Sequence, residues 1–367
     1  MNKPKIIAFY LPQYHPTPDN DKWWGKGFTE WTNVGKAKPL FPGHYQPKVP
    51  ADLGYYDLRL PEARKAQADL AKEAGIYGFC YYHYWFGNGK MELERPFQEV
   101  LTSGAPDFPF MLCWANESWH KKFWNKDGKG SSKEILIEQT YPDEQDIINH
   151  FYHVLPAFKD ERYIKVENKP VFMIYKPFLH PSMKKFIEIW RELAHKESLG
   201  GIYFIGQLQE EFTTERYDIL INTGFDAINT VGLYEALNRN LTTWNSVLRR
   251  LSFHLFNLPL ICDYGKCMRD ILTQLDTLPN VFPSIIPNWD HTPRSGKAGW
   301  VLKDSSPEKF KEHVESILNF LAENKKRICF LKSWNEWGEG NYMEPDLKYG
   351  KSFIHELAMI VNKDLKD

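Results

Sequence analysis

The sequence predicts a (β/α)8 barrel, the TIM-barrel architecture, and three observations carry that expectation. Eight short apolar runs rich in β-forming residues alternate with segments of helical period along the 367 residues. Several of those runs are continuous rather than alternating, as parallel strands buried on both faces require. Polar and aromatic residues gather directly after the runs and not before them, the polarity of a barrel whose site lies at the C-terminal ends of its strands. No repeat, low-complexity tract or linker divides the chain, so residues 1–367 are expected to form one barrel domain with long loops after the strands.

The strand-like runs are Lys5–Leu11, Ile76–Tyr84, Phe108–Trp114, Pro170–Tyr175, Ile202–Gln207, Phe225–Val231, Phe282–Pro287 and Ile328–Leu331. Between the first two, PEARKAQADLAKEAG opens with Pro61 at a first-turn position and ends on Gly75, a helix that starts and stops where proline and glycine allow. Met183, Ile187, Trp190 and Ala194 fall on one helical stripe, as do Trp244, Leu248, Leu251 and Leu255, and Phe310, Val314, Ile317 and Leu321 before the last strand. The least defined helix is the one after strand five. The excess length falls in three segments after strands, Pro12–Leu60, Ala115–Pro142 and Leu233–Leu278. A doubly wound sheet would carry a Gly-rich phosphate turn after its first strand, and YLPQYHP stands in that place.

Composition narrows the function classes. A formal net charge of −1 gives no electrostatic reason to expect nucleic acid or an anionic membrane as partner, and no apolar run approaches a membrane span. The N-terminal stretch moves into a strand by Lys5 without an apolar leader, so a cytoplasmic location is expected. Cys80, Cys113, Cys262, Cys267 and Cys329 form no C-x-x-C pair and read as reduced thiols. His15, His83 and His120 each follow a strand but lack ligand spacing, so neither a metal nor any other cofactor is expected. Neither G-x-S-x-G nor Walker A occurs, and the DND of Asp19–Asp21 is a short match to a metal-binding D-x-D. With 13 Trp, 19 Tyr and 24 Phe, many of them beside Asn, Glu, His and Gly, the chain instead has the residues that stack on sugar rings and fix their hydroxyls.

The last strand runs into SWNEWGEG, where Glu336 and Glu339 lie three apart beside two glycines. In a helical or 3₁₀ turn they would share one face, with Cβ atoms roughly 5–6 Å apart. Retaining glycoside hydrolysis places its two carboxyl groups about 5–5.5 Å apart. The flanking Asn335 and Trp337 complete the motif. Strand three ends in CWANESWH, whose Trp114, Asn116, Glu117 and Trp119 could wall a subsite and clamp vicinal hydroxyls. Strand two ends in Tyr82, His83, Tyr84 and Trp85, of which alternate residues should face inward; His83 reads equally as a hydrogen-bonded structural histidine. Tyr10 ends strand one, Glu30 and Trp31 stand in the loop beyond it, and Trp289, Asp290 and Arg294 follow strand seven. The Asp290–Arg294 pair reads equally as structural.

Taken together, FYLPQYHP, GKGFTEWTNV, GFCYYHYWF, CWANESW and SWNEWGEG resemble the WbsX family, labelled glycosyltransferases of surface-polysaccharide biosynthesis. The strand-eight motif also resembles, locally, the W-N-E-W-x-E-G of family-99 glycoside hydrolases, endo-α-mannosidases and endo-α-mannanases built on the same barrel. That second resemblance implies Glu336 as base on the substrate's own 2-hydroxyl and Glu339 as general acid, with a 1,2-anhydro sugar between them. Such a route needs O2 trans to the leaving group, which α-mannosides and α-rhamnosides satisfy. Gly338 departs from that pattern, where a histidine is expected. The expectation is therefore a retaining hydrolase or transglycosidase on an α-mannan-like or other bacterial surface glycan, with an oligo- or polysaccharide as its partner. The alternatives are a sugar-nucleotide-dependent glycosyltransferase of O-antigen or capsule biosynthesis and a non-catalytic glycan-binding protein.

Overall fold

The computed structural model describes residues 3–121, 134–209, 211–240 and 258–363. Eight parallel strands form the barrel: β1 Lys5–Tyr10, β2 Gly78–Trp85, β3 Phe110–Trp114, β4 Lys169–Ile174, β5 Tyr203–Leu208, β6 Ala227–Thr230, β7 in two pieces, Val281–Phe282 and Ser284–Ile285, and β8 Ile328–Leu331. They pair in sequence order from β1 to β6, and β1 pairs β8.

β7 closes the ring by serving two neighbours. Its first piece pairs β6 and its second pairs β8. The break falls on Pro283, which has no N–H to continue a ladder, while its carbonyl still accepts from Phe330 N at 3.0 Å. The run Phe282–Pro287 is therefore not one continuous strand. β2 is buried along its whole length, as its unbroken apolar run anticipates.

The helices pack outside. α1 (Pro18–Trp24) and α2 (Glu30–Lys36) lie between β1 and α3 (Pro61–Glu73); α4 (Arg95–Ser103), α5 (Glu144–Lys159), α6 (Met183–Lys196), α7 (Thr214–Thr223), α8 (Leu233–Arg239), α9 (Tyr264–Arg269), α10 (Pro307–Glu323) and α11 (Ser352–Lys363) follow. α3 starts on Pro61, and Gly75 just beyond its end takes φ +82°, the left-handed position a side chain would strain. The stripes on α6 and α10 are buried as expected. The stripe Trp244, Leu248, Leu251 and Leu255 lies outside the described residues. α7, the helix after strand five, buries only Leu220, which is why its sequence shows so little periodicity.

The three long segments are not bare loops. Pro12–Leu60 folds α1 and α2; Ala115–Pro142 carries an antiparallel pair, Trp119–His120 with Ile135–Ile137; Leu233–Leu278 carries α8, a strand Leu260–Asp263 paired with Trp300–Lys303, and α9. No described helix is long and apolar enough to cross a membrane. None of the five cysteines is in a disulfide.

Candidate active site

β8 delivers the central residues. Past Leu331 the chain leaves the barrel through Lys332 and Ser333, and Asn335–Glu336 pairs antiparallel with Asn341–Tyr342. Between these two segments Trp337–Glu339 makes a single 3₁₀ turn, closed by Gly340 at φ +54°. The Asn335 amide imitates a backbone and clasps β1: its Oδ1 accepts from Leu11 N at 2.8 Å and its Nδ2 donates to Leu11 O at 3.0 Å. The Trp337 ring lies flat on Tyr342, centroids 3.8 Å apart, and its Nε1 donates to Glu344 at 2.6 Å. Glu344 also accepts from Tyr56 Oη and from Gln67, which in turn accepts from Tyr10 Oη at 2.6 Å. Burial pushes the Glu344 carboxyl up to about 7.

On this platform the two glutamates converge on one nitrogen. Arg294 Nη1 donates to Glu339 Oε1 at 2.6 Å and to Glu336 Oε1 at 3.1 Å, so the two carboxylate oxygens are no farther apart than those bonds laid end to end. Arg294 Nε donates to Glu30 Oε1 at 2.8 Å, and Asn33 holds the same oxygen at 3.2 Å. Glu336 is the deeper carboxylate; its Oε2 is buried without a hydrogen bond, with Lys332 Nζ 3.9 Å away. Burial, and then the charge of Glu339, raise its carboxyl above the ordinary range. Glu339 is less enclosed, with His291 Nε2 at 3.6 Å.

Gly338 has a specific reason to lack a side chain. A Cβ there would sit 1.7 Å from Glu30 Oε1 and 3.0 Å from Arg294 Nε. The Glu30–Arg294 ion pair occupies the space that a residue between the two glutamates would otherwise fill.

These residues floor a cavity of about 840 Å³ at the C-terminal mouth of the barrel. Of the residues singled out in the sequence, Glu30, Tyr82, Tyr84, Glu117, Trp119, Arg294, Glu336 and Glu339 line it. Strand alternation splits the β2 set. Tyr82 and Tyr84 face the cavity, whereas His83 lies 2.9 Å from His150 Nε2 and Trp85 stacks on His150 and donates to Asp146, both against α5.

The remaining residues support the lining from behind. Trp114 packs on Phe186 and donates to Trp85 O. Asn116 grips the backbone of Lys176 through both amide atoms, Oδ1 to N at 2.8 Å and Nδ2 to O at 2.9 Å, and so presents Tyr175 and Lys176 to the cavity. Trp31 packs on Trp337, with its Nε1 on Tyr56 O. Trp289 stacks on Trp300, and Asp290 is spent on His44, Gln46 and Thr292. Tyr10, Asn335 and Trp337 lie beneath the floor, as described. Asp290 and Arg294 do not pair with each other. Of the DND carboxylates, Asp19 faces Glu92 and Lys90, and Asp21 accepts from Gly27 N at 2.7 Å.

Tyr175, Lys176, Gln209, Tyr234, His291 and Lys332 also line the cavity and were not singled out by sequence. Tyr175 and Lys176 stand in the YKP that ends strand four, and Lys332 directly follows strand eight, so strand-end polarity points to all three. Tyr234 sits in a helix and carries no such signal.

A family model described as glycosyltransferase WbsX matches residues 6–357. The WxcX proteins of two Xanthomonas campestris pv. campestris strains are 35% identical over 355 residues, 95% of this chain and 48% of their own length. The chain thus spans about half the length of these curated relatives. Among solved structures, a family-99 endo-α-mannosidase of Bacteroides thetaiotaomicron covers 99% of this chain and 97% of its own, with a TM-score of 0.59 at 14% identity. A protein described as glycoside hydrolase-like covers 100% of this chain and 95% of its own, with a TM-score of 0.64 at 15% identity. At such identities the likeness is one of fold. By the span of the family model, this chain belongs to the WbsX glycosyltransferase family.

Proposed function

We propose that the chain is a retaining glycoside hydrolase or transglycosidase that acts on an α-mannan-like or other bacterial surface glycan through a 1,2-anhydro sugar. The observation that carries this reading is the convergence of Glu336 and Glu339 on Arg294 Nη1 at the floor of an aromatic-walled cavity. In the first step Glu336 takes the proton of the 2-hydroxyl while O2 bonds to C1, the C1 bond to the leaving oxygen breaks, and Glu339 gives that oxygen its proton. In the second step water or an acceptor hydroxyl bonds to C1 and returns a proton to Glu339 as the C1–O2 bond opens. Glu336 then returns its proton to O2.

Each group has physical support for its part. A base whose carboxyl is raised toward neutrality takes a proton more readily than an ordinary carboxylate, and Glu336 is raised by burial and by Glu339. Arg294, 2.6 Å from Glu339, stabilises the charge left when Glu339 has given up its proton. Tyr82, Tyr84 and Trp119 offer ring faces to a sugar.

The family's name favours a second reading, transfer from a sugar nucleotide. Against it, a diphosphate on this floor would meet the three carboxylates of Glu30, Glu336 and Glu339, whose arginine and lysine partners among the described residues are Arg294 and Lys332. The deciding experiment incubates the protein, without any nucleotide sugar, with α-mannan and α-rhamnan oligosaccharides and bacterial surface glycans, and compares products with those of Glu339→Gln by mass spectrometry. New fragments or rearranged chains from the wild type alone are the expected result. Turnover that appears only when a donor sugar nucleotide is added would establish the transferase instead.

A further inference from the structure

A second cavity of about 630 Å³ lies behind the catalytic turn. Glu339 lines the first cavity, while the carbonyl of the next residue, Gly340, accepts from Lys48 Nζ, which lines the second. A Cβ at Gly340 would lie 2.6 Å from Lys48 Nζ and 2.7 Å from Asp290 Cβ, so the turn is the shared wall of both cavities.

Lys48 is buried, yet the only hydrogen bond of its ammonium among the described residues is the long one to Gly340 O, 3.3 Å, with the Tyr342 ring centroid 5.3 Å away. An ammonium has three protons to place, and a buried one without acceptors costs free energy. The two nearest carboxylates are committed elsewhere. Asp290 accepts from His44, Gln46 and Thr292, and Asp346 accepts from Tyr342 Oη and from the backbone N–H groups of Lys348 and Tyr349. Their charges offset part of the cost of burying Lys48 without forming an ion pair with it.

At the mouth, Lys348 is exposed and forms no ion pair among the described residues. Its ammonium sits 4.9 Å from the Tyr45 ring and 4.6 Å from the Tyr349 ring. The other two lysines of the lining, Lys303 and Lys309, pair with Asp304 and Asp263. The cavity therefore presents two ammonium groups with protons to spare, the outer one lying over two tyrosine rings.

We propose that this cavity is a second saccharide site, taking a sugar that carries an anionic group, a carboxylate or a phosphate, with the anion on Lys48 and Lys348 and the ring against Tyr45 and Tyr349. Donors without acceptors select an anion, and tyrosine faces select the C–H face of a pyranose over a bare ion. The site is distinct from the floor of the first cavity, and its test does not depend on the activity proposed above.

Saturation-transfer NMR on the whole chain would use glucuronic acid, glucose 6-phosphate, glucose and inorganic phosphate as probes. At least one of the two acidic sugars is expected to bind, with glucose and inorganic phosphate each weaker by about tenfold or more, the worth of one charge-assisted contact. Comparing the two acidic sugars tells carboxylate from phosphate. Lys48→Met and Lys348→Ala should each weaken that binding about tenfold, while Glu336→Gln and Glu339→Gln leave it unchanged. Lys348 is exposed, so its variant keeps the test valid if Lys48→Met fails to fold. The proposal is overturned if neither acidic sugar binds, if binding survives both lysine substitutions, or if glucose or inorganic phosphate binds as well as the acidic sugars.

Discussion

On the proposed mechanism, replacing Glu339 by Gln removes a proton donor but keeps an oxygen for Arg294, so the loss should be chemical rather than structural. Positioned acid–base groups are worth about 10²–10⁴ in rate, and Glu339→Gln should lose that much on an unactivated glycan. An aryl glycoside with an activated leaving group should recover most of it, because that leaving oxygen needs no proton. Glu336→Gln should stay inactive on both, since abstraction from the 2-hydroxyl is needed either way. Steady-state kinetics on the two substrates check the asymmetry. Gly338→Ala is the steric counterpart: its methyl group would displace the Glu30 carboxylate and with it Arg294. Rates should fall about 10²-fold or more, with a stability cost of about 1–3 kcal/mol, read by urea unfolding alongside the kinetics. In the sequence Gly338 was visible as a glycine that eases the turn and as a departure from the hydrolase motif; the reason it has no side chain, Glu30, lies 308 positions away along the chain. The acid pair itself was legible because four consecutive residues, Glu336 to Glu339, carry it. Trp31 and Trp289 were drawn toward the site by their neighbours in sequence, but the structure packs them as aromatic supports, Trp31 on Trp337 and Trp289 on Trp300.

Elements explain why some strand-end residues face the site and others support it. β2 alternates, so Tyr82 and Tyr84 reach the cavity and His83 and Trp85 turn to α5. That much follows from the period of a strand. Side chains that act as backbone do not show in a sequence pattern: Asn335 joins β8 to β1 through Leu11, and Asn116 joins the end of β3 to the end of β4 through Lys176. Asn335→Ala should leave Leu11 N and O buried without partners, at a cost of about 2–4 kcal/mol in urea unfolding. A small loss would mean that water replaces the clasp. β7 was misjudged for a related reason: apolar content marked the strand, but a single proline decides which neighbour each half pairs with.

Across the whole molecule, buried titratable groups set opposing pH dependences. Burial holds His83 and His313 down to about 3 and His15 and His180 down to about 4, with His150 also lowered. These rings stay neutral in the fold but take a proton near pH 6.5 once unfolded, so their contribution is full above pH 6.5 and is lost as pH falls below it. A fully buried histidine accounts for at most about 1.4 kcal/mol per pH unit. Carboxyls act the other way. Burial raises Glu344 to about 7, and burial with Asp19 beside it raises Glu92 to about 8, both from 4.5. Their contribution is full below about pH 4.5 and is lost as pH rises through 7 and 8. Stability should therefore peak near pH 6.5, and urea midpoints at pH 5, 6.5 and 8 will show it; a midpoint still rising at pH 8 would mean that these carboxyls ionise without cost. The barrel's closure at Pro283 carries a further consequence. A ring of strands is only as tight as its seam, and here the seam is a four-residue splice around a proline, with β8 on one side of it. An opening of the cylinder at that splice would part β8 from its neighbour, and β8 is the strand from which the chain runs on to Glu336 and Glu339.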